Sequence, residues 1–345
     1  MEGHTSILVF ALVGTAGAWF AISLGAVVGR IAFDRCARGA RERRAPTGER
    51  ARRRMLKRAS LHRTKGGKWR RIAALRTLVH ADEVRSRLLI QRALADDDPD
   101  VIGAAVLLLG ELGDEWAVAE LIETMRNGSY PRSRVATQID ALLPKAGRKL
   151  VRLTRERDPA VRFWAATLLG RCPGVAPARL VALTKDPDAN VRAAAVASIG
   201  ERGDPAALAA VHARLEDDEW FVRVHACRSV GRLGGLDAAP AIAMHLGERR
   251  WWIRSAAKDA LRELGPAVAG VLIPYLADED AFARNGAAEV LQDVGFVDGL
   301  ARHGVEGELL ERIFAAGGPG LREAALRRAA DWQGTGDQTL DEVAS

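Results

Sequence analysis

The chain has few residues of the types that build covalent frameworks or metal centres. Three of its 345 residues are cysteine, and Cys36, Cys172 and Cys227 lie far apart in the sequence. An odd, unclustered set argues against a disulfide framework and a Cys-x-x-Cys metal site, and it is typical of a reducing compartment. The seven histidines form no His-Glu dipeptide and no His-x-x-x-His pair. We therefore expect neither a metal nor a cofactor.

Charge is absent from the 25 residues Thr5–Gly29. A helix of that length, at about 1.5 Å per residue, exceeds the roughly 30 Å hydrocarbon core of a bilayer. The first four residues contain no Lys or Arg, and the positive charge follows the apolar run. This order favours a retained transmembrane anchor over 5–29, with a cleaved signal peptide and a buried core helix as the alternatives.

A basic segment follows the predicted anchor. Residues 30–71 contain 17 Lys and Arg against three Asp and Glu, a net charge of +14, whereas residues 72–345 contain 34 against 40, a net charge of −6. Positive flanks stay in the cytoplasm, so we predict a bacterial inner-membrane protein with its N-terminus outside and the rest of the chain inside. Anionic headgroups attract such a linker, over 30–66, although nucleic acid would use the same charges. The arginines predicted to face lipid are Arg35, Arg38, Arg41, Arg43 and Arg44.

Small residues recur at intervals of four within the predicted anchor. Gly25 and Gly29 form a GxxxG motif, which lets two helices approach closely in lipid. The motif predicts pairing with another copy or with a partner's helix. Chance is the alternative, because the segment is rich in Gly and Ala.

A short phrase returns about every thirty residues in the rest of the chain: an acidic residue, then Val-Arg, then small residues. It reads Asp-Pro-Ala-Val-Arg at 158–162 and Asp-Ala-Asn-Val-Arg at 188–192. Self-similarity at this period indicates a stack of helix pairs, each unable to bury its apolar face alone. The apolar positions of the phrases are Trp69, Val101, Val135, Val161, Val191, Val222, Ile253 and Ala283, at intervals of 26 to 34 residues.

Each unit is predicted to contain two helices. In the best-defined unit the first helix covers Val191–Gly200, Asp204-Pro205 restarts the chain, and the second covers Ala206–Leu215. Asp before Pro caps the first turn of a helix, and Asp98-Pro99, Asp158-Pro159 and Asp186-Pro187 repeat this signal.

The cadence D-x-x-V-R-x-x-A-x-x-x-L-G resembles HEAT repeats in their short bacterial form, the HEAT-like repeats of phycobilisome-lyase type. The resemblance implies an all-α fold, an α-α superhelix or solenoid, over 67–294. It also implies a ladder of hydrogen bonds along the array between the aspartates and arginines of successive repeats. The ladder should be interrupted where Ile102 and Ala136 replace Arg, and the Val135 unit is the least regular. The implied pairs are Asp158 with Arg162, Asp188 with Arg192, Asp218 with Arg223, and Glu248 with Arg254.

The repeated phrase becomes irregular after Val294. Glu308–Ala316 and Gly320–Trp332 are predicted to close the stack as capping helices within 295–332, since the end of a solenoid needs a polar face. Residues 333–345 are polar and acidic, and we predict a disordered tail.

Tryptophan is added to the phrase at two places. Trp220 and Trp251 lie at the same offset, 31 residues apart, and Trp252, Arg249 and Arg250 adjoin them. Aromatic residues and Arg are over-represented at binding hot spots, so these five residues are the predicted partner-binding surface. The alternative is that the tryptophans pack between repeats.

These features predict a membrane-tethered HEAT-like scaffold that binds a protein partner on the cytoplasmic side, within a membrane-associated assembly. We expect no enzymatic activity. The alternative is an enzyme or enzyme subunit built on HEAT-like repeats, such as a lyase. Nucleic-acid binding is disfavoured, because the repeat region is net negative.

Overall fold

The computed structural model describes residues 67–78, 83–302, 307–317 and 322–323. The chain divides into two compact units, one up to Gln138 and one from Ile139 onward. The predicted anchor over 5–29, with Gly25 and Gly29, lies outside the described residues, as do the five lipid-facing arginines and the tail over 333–345.

The first unit is helical throughout its described residues. Its helices form successive pairs, and α3 packs on both α1 and α2. The last helix, α5, continues across the boundary between the two units, which falls inside the irregular Val135 repeat. The helices are α1 (Lys68–Leu78), α2 (Glu83–Leu94), α3 (Pro99–Leu112), α4 (Glu115–Asn127) and α5 (Arg132–Asp140).

The second unit stacks long helices in one layer and short ones in another. The long helices α7, α9, α11 and α13 pack side by side in chain order, and α15 follows α13. The long layer is α7 (Pro159–Arg171), α9 (Ala189–Arg202), α11 (Trp220–Gly234), α13 (Trp251–Glu263) and α15 (Ala281–Asp293). The other helices are α6 (Leu143–Leu153), α8 (Ala178–Leu183), α10 (Leu208–His212), α12 (Ala239–Ala243), α14 (Ala269–Leu272), α16 (Phe296–Arg302) and α17 (Glu308–Ala316).

Aspartates cap α3, α7, α9 and α15, as the sequence predicts at two of the Asp-Pro steps, whereas α11 and α13 begin after Glu219 and Arg250. Asp98 and Asp158 are N-caps whose carboxylates accept a backbone N–H two residues on, and proline occupies the first turn. The prediction at Asp186-Pro187 is wrong, because the cap of α9 is Asp188. The side chain of Asp186 is thereby released for a different contact.

The apolar position of the phrase forms the core. Val101, Val135, Val161, Val191, Val222, Ile253 and Ala283 are each at most 3 % exposed. Trp69 is the exception, since it is 51 % exposed, and Ile72 and Leu75 are the buried residues of α1 instead. The sequence therefore misplaced the first phrase, because the apolar face of α1 does not include its tryptophan.

Glycine within the long helices allows close packing. A Cβ built on Gly200 would lie 2.3 Å from Ser229 Oγ and 3.0 Å from its Cα, and Gly170 stands in the same relation to Ser198. The Ser229 hydroxyl donates to the Val196 carbonyl of the neighbouring helix at 3.0 Å. The predicted helix end at Gly200 is wrong: α9 runs on to Arg202, and Gly203, with φ +69°, terminates it.

The second layer is shorter than predicted. In place of one helix over Ala206–Leu215, a 3₁₀ turn covers Pro205–Ala207 and α10 covers Leu208–His212. Further along, α17 coincides with the helix predicted over Glu308–Ala316, whereas most of Gly320–Trp332 lies outside the described residues.

Within the described ranges, no single helix has both the length and the apolar character needed to cross a membrane. A pair over Trp251–Glu263 and Pro266–Ala277, bent by 114°, meets the two requirements jointly.

Candidate interaction edge

The arginine of the phrase links three parts of the second unit. Arg162 Nε and Nη2 donate to the two carboxylate oxygens of Asp186, at 2.8 and 2.7 Å. Its Nη1 donates to the carbonyls of Glu156 and Arg157, both at 2.9 Å. One guanidinium thus holds the loop before its own helix and a carboxylate of the next repeat.

The next repeat has the same arrangement, and the repeat after it keeps the ion pair without the bidentate hydrogen bonds. Arg192 binds Asp217 through two hydrogen bonds of 2.9 and 2.8 Å, and Arg223 Nε lies 3.2 Å from Glu248 Oε1. Each arginine also donates to two carbonyls five and six residues before it. Bidentate charge-assisted bonds fix geometry as well as energy, so the ladder holds neighbouring repeats in register.

The ladder exists, but the sequence paired its residues wrongly. Asp158 and Asp188 accept from the N–H groups of their own helices, and Arg223 reaches Asp218 at its backbone carbonyl. Arg254 likewise binds the Glu248 carbonyl, at 2.7 Å. A cap carboxylate must face its own helix end, so the acid that can reach the preceding repeat lies one or two residues earlier.

Among its described residues, the first unit contains a link between Arg71 and Asp96 that is of this kind, and two positions that lack the arginine. Arg71 Nη2 donates to Asp96 Oδ1 at 3.1 Å across 25 residues, a separation like those of the other links. Ile102 and Ala136, where the sequence lacks the arginine, are buried at 7 % and 4 % exposure.

Burial and hydrogen bonding act in opposite directions on Asp217. Burial by itself raises the pKa of the carboxyl, but the hydrogen bonds from Arg192 and from the Glu219 N–H, with the charges of Arg192 and Arg214, lower the pKa below its ordinary value. The hydrogen bond to Asp217 raises the pKa of Arg192 against the effect of burial. The pair is therefore ionised throughout the physiological pH range.

The ladder changes character at Arg254. This guanidinium donates to the carbonyls of Glu248 and Arg249 as its counterparts do, but it lies over the ring of Phe282, 4.1 Å from the centroid. Among the described residues it has no carboxylate partner. A cation–π contact thus replaces the ion pair at the repeat where aromatic residues reach the surface.

These aromatic residues lie at corresponding places in three helices, and we call them, with the adjacent arginines, the aromatic edge. Trp251 and Trp252 open α13 and are 55 % and 59 % exposed, and Phe282, the second residue of α15, is 52 % exposed. Trp220 opens α11 and is half-buried. The edge consists of Trp220, Arg249, Arg250, Trp251, Trp252 and Phe282.

Ring contacts orient the edge. Trp251 and Trp252 meet edge to face, with centroids 4.7 Å apart and planes at 75°. Arg250 reaches back over the ring of Trp220, 5.7 Å from its centroid. Adjacent tryptophans in the first turn of one helix cannot both point inward, because successive side chains diverge around the axis.

The structure therefore brings together the five residues that the sequence singled out. The alternative of packing between repeats does not fit Trp251 and Trp252, which are more than half exposed. The sequence reasoning did not single out Phe282. Its spacing could have indicated it, because Phe282 follows Asp280 by two residues, as Trp252 follows Arg250.

Other reactive side chains are few in the described part of the chain. It contains no group of three or more His, Cys, Asp or Glu residues placed to hold a metal ion. Cys172 and Cys227 are buried, and burial raises the pKa of the Cys227 thiol to about 12. That thiol stays protonated at neutral pH.

Comparison with known proteins supports a repeat fold. A family model described as HEAT repeats matches residues 176–262, and no curated protein matches the sequence. An engineered protein aligns with a TM-score of 0.41 at 14 % identity, covering 80 % of this chain and 88 % of its own. The complex of CpcE and CpcF of phycocyanin lyase from Nostoc sp. PCC7120 aligns with a TM-score of 0.38 at 20 % identity, covering 66 % and 92 %. Human deoxyhypusine hydroxylase aligns with a TM-score of 0.29 at 17 % identity, covering 72 % and 100 %. The HEAT-repeat match lies within the second unit, where long and short helices stack in succession.

Proposed function

We propose that this protein is a HEAT-like scaffold that docks a protein partner on the aromatic edge and acts by binding rather than by catalysis. The observation that carries the proposal is the exposure of Trp251 and Trp252, at 55 % and 59 %, beside two arginines. Large exposed apolar surface rimmed by charge marks interaction sites, and Trp and Arg dominate their energetics.

The ladder supports this role by making the edge rigid. Arg223 and Arg254 each hold the loop that precedes their own helix, and these loops end at Trp220 and Trp251. Side chains held in place before binding lose less conformational entropy when the partner arrives. The edge is therefore a preorganised surface.

We further propose that residues 5–29 anchor this scaffold in the inner membrane of a bacterium, with the N-terminus outside and the repeats in the cytoplasm. The support is the uncharged run followed by a segment of net charge +14. Tethering raises the local concentration of the edge near membrane-bound partners, and the arginines from Arg35 to Arg44 would add attraction to anionic lipid. Gly25 and Gly29 provide a surface for pairing with a second helix.

Partner capture by the full-length chain tests the binding role. We expect the double variant Trp251→Ala/Trp252→Ala to lose at least tenfold in recovery of proteins cross-linked in membranes. Its thermal unfolding should shift little, because side chains more than half exposed contribute little to the core. Leu236→Ala is the matched control, because this residue is 45 % exposed and follows the C-terminal end of α11, the end opposite Trp220. Equal capture by the double variant, with a lowered unfolding temperature, would show that the tryptophans serve packing.

A further inference from the structure

The aromatic edge carries positive charge that the described residues do not neutralise. Arg249 and Arg250 are exposed. Arg250 contacts the Trp220 ring, and neither arginine has a carboxylate partner within the described part of the chain. The nearby acid Glu248 is already engaged, since it lies 3.2 Å from Arg223 and 3.5 Å from His245 Nδ1. An occupant that supplies carboxylates to Arg249 and Arg250 and apolar groups to the tryptophan rings would match this edge.

The end of the sequence has that composition. Residues 333–345 contain three carboxylates, at Asp337, Asp341 and Glu342, and no Lys or Arg. Leu340 and Val343 lie three residues apart, a spacing that places two side chains on one face of a helical turn. The segment thus matches the edge in charge and offers apolar groups to the tryptophan rings.

The connection is long enough to reach the edge. Helix α17 packs against α15, which carries Phe282, and Arg322 lies over the Phe314 ring of α17, 5.2 Å from its centroid. Fourteen residues lead from Glu323 to Asp337. They span about 20 Å as a flexible chain or about 21 Å as a helix. Packed helices lie about 8–10 Å apart, so that span covers the step from α17 to α15 and the next step to α13, which begins at Trp251.

We infer that the acidic segment 333–345 docks on the aromatic edge of its own chain and occupies the partner site. The carboxylates bind Arg249 and Arg250, and the apolar side chains cover Trp251 and Trp252. A tether of this length gives an effective concentration on the order of millimolar, so weak contacts suffice for occupancy. A partner must displace the segment, and the inference in this respect rests on the proposed function. Salt should weaken the contact, because its charged part is exposed.

Photo-crosslinking of the full-length chain tests the inference. With Phe282→p-benzoyl-phenylalanine, we expect intramolecular crosslinks to residues 333–345, identified by mass spectrometry of the monomer. The same label at Leu236, which is 45 % exposed and follows the C-terminal end of α11, should give at least fivefold fewer such crosslinks. The triple variant Asp337→Asn/Asp341→Asn/Glu342→Gln should lower the signal at position 282 at least fivefold without changing the fold.

Three results would overturn the inference: equal crosslinking to the segment from positions 282 and 236, an unchanged signal in the triple variant, or crosslinks at 282 only to a second copy, another protein or nucleic acid. Partner capture separates it from the proposed function. If the full chain gives no crosslink to the segment, and a chain ending at Trp332 captures partner no better than the full chain, the docking of the segment is refuted and the proposed function is not. A normal crosslink with partner capture unaffected by Trp251→Ala/Trp252→Ala removes only the proposed function.

Discussion

At the scale of single residues, most polar chemistry in the phrase is structural. The arginine satisfies two loop carbonyls and one carboxylate, and the aspartate at the cap satisfies the backbone of its own helix. The carboxylate side chain of Asp217 is 2 % exposed, whereas Arg192 is 14 % exposed. A nearly buried ion contributes to stability only while its partner is present, because desolvation is otherwise uncompensated.

Replacing Asp217 should expose this dependence. We expect Asp217→Asn to lower the free energy of unfolding by about 2–4 kcal/mol near neutral pH, since Arg192 then remains part-buried without its charged partner. Asp188→Asn, at a cap where Asn substitutes well, is the control and should change stability by under about 0.5 kcal/mol. Urea denaturation followed by circular dichroism measures both.

The stability difference between the wild type and Asp217→Asn should depend on pH, because the pKa of Asp217 is lowered in the folded protein. The pKa of Asp217 is lower in the folded protein than its ordinary value of 3.8. Its stabilising contribution is therefore complete above about pH 5 and is lost as pH falls below 3.8 through the lower folded value. The gap between the wild type and Asp217→Asn should shrink below pH 4, and a gap that widens there would contradict the assigned ion pair.

At the scale of helices, the close approach of neighbouring long helices decides which positions of the repeated phrase can vary. The glycine before the helix end lets a serine of the next long helix reach a backbone carbonyl, as Ser229 does at 3.0 Å. The helix itself would prefer alanine by about 1 kcal/mol, so packing outweighs intrinsic propensity at this position.

Two glycine substitutions separate packing from propensity. Gly200→Ala should lower the free energy of unfolding by about 1–3 kcal/mol, because the added Cβ meets the backbone Cα of Ser229 at 3.0 Å, and that atom cannot move aside. Gly270→Ala, also within a helix but with nothing within 4 Å of the new Cβ, should be neutral or slightly stabilising. Thermal unfolding of both variants checks the contrast, which fails if they shift equally.

At the scale of the whole molecule, charge is divided between segments with different proposed partners. The segment with net charge +14 lies directly after the uncharged run, and the rest of the chain is net negative. For the proposed anchor, this order predicts a direction across the membrane, because arginine resists translocation.

A fusion experiment tests that direction. A cytoplasm-active reporter placed after Ser345 should be active, and one that works only outside the cytoplasm should be silent. Moving the arginines of 35–44 to the other side of the run, ahead of Thr5, should reverse the pattern, whereas replacing them by lysine at the same positions should preserve it. Activity of the exported reporter in the unmodified chain would refute the proposed topology.

The repeat period, the Asp-Pro helix starts and the buried valines could be predicted from sequence because each depends on local spacing. The partners of the ladder could not, since Arg162 and Asp186 are 24 residues apart and only stacking shows which acid faces which arginine. The exposure of Trp251 could not be predicted either, because an aromatic residue fits the repeat pattern equally well inside the stack or at its edge.

The recurring phrase is enough to predict stacked helix pairs, and the composition alone shows that tryptophan and arginine concentrate near residue 250. The folded chain adds that, among the described residues, the arginines at 249 and 250 lack a carboxylate while the ladder arginines are bound, and that Phe282 completes the aromatic edge. The physical reason is that hydrogen bonds, ion pairs and burial depend on distances between residues some thirty positions apart, which packing sets.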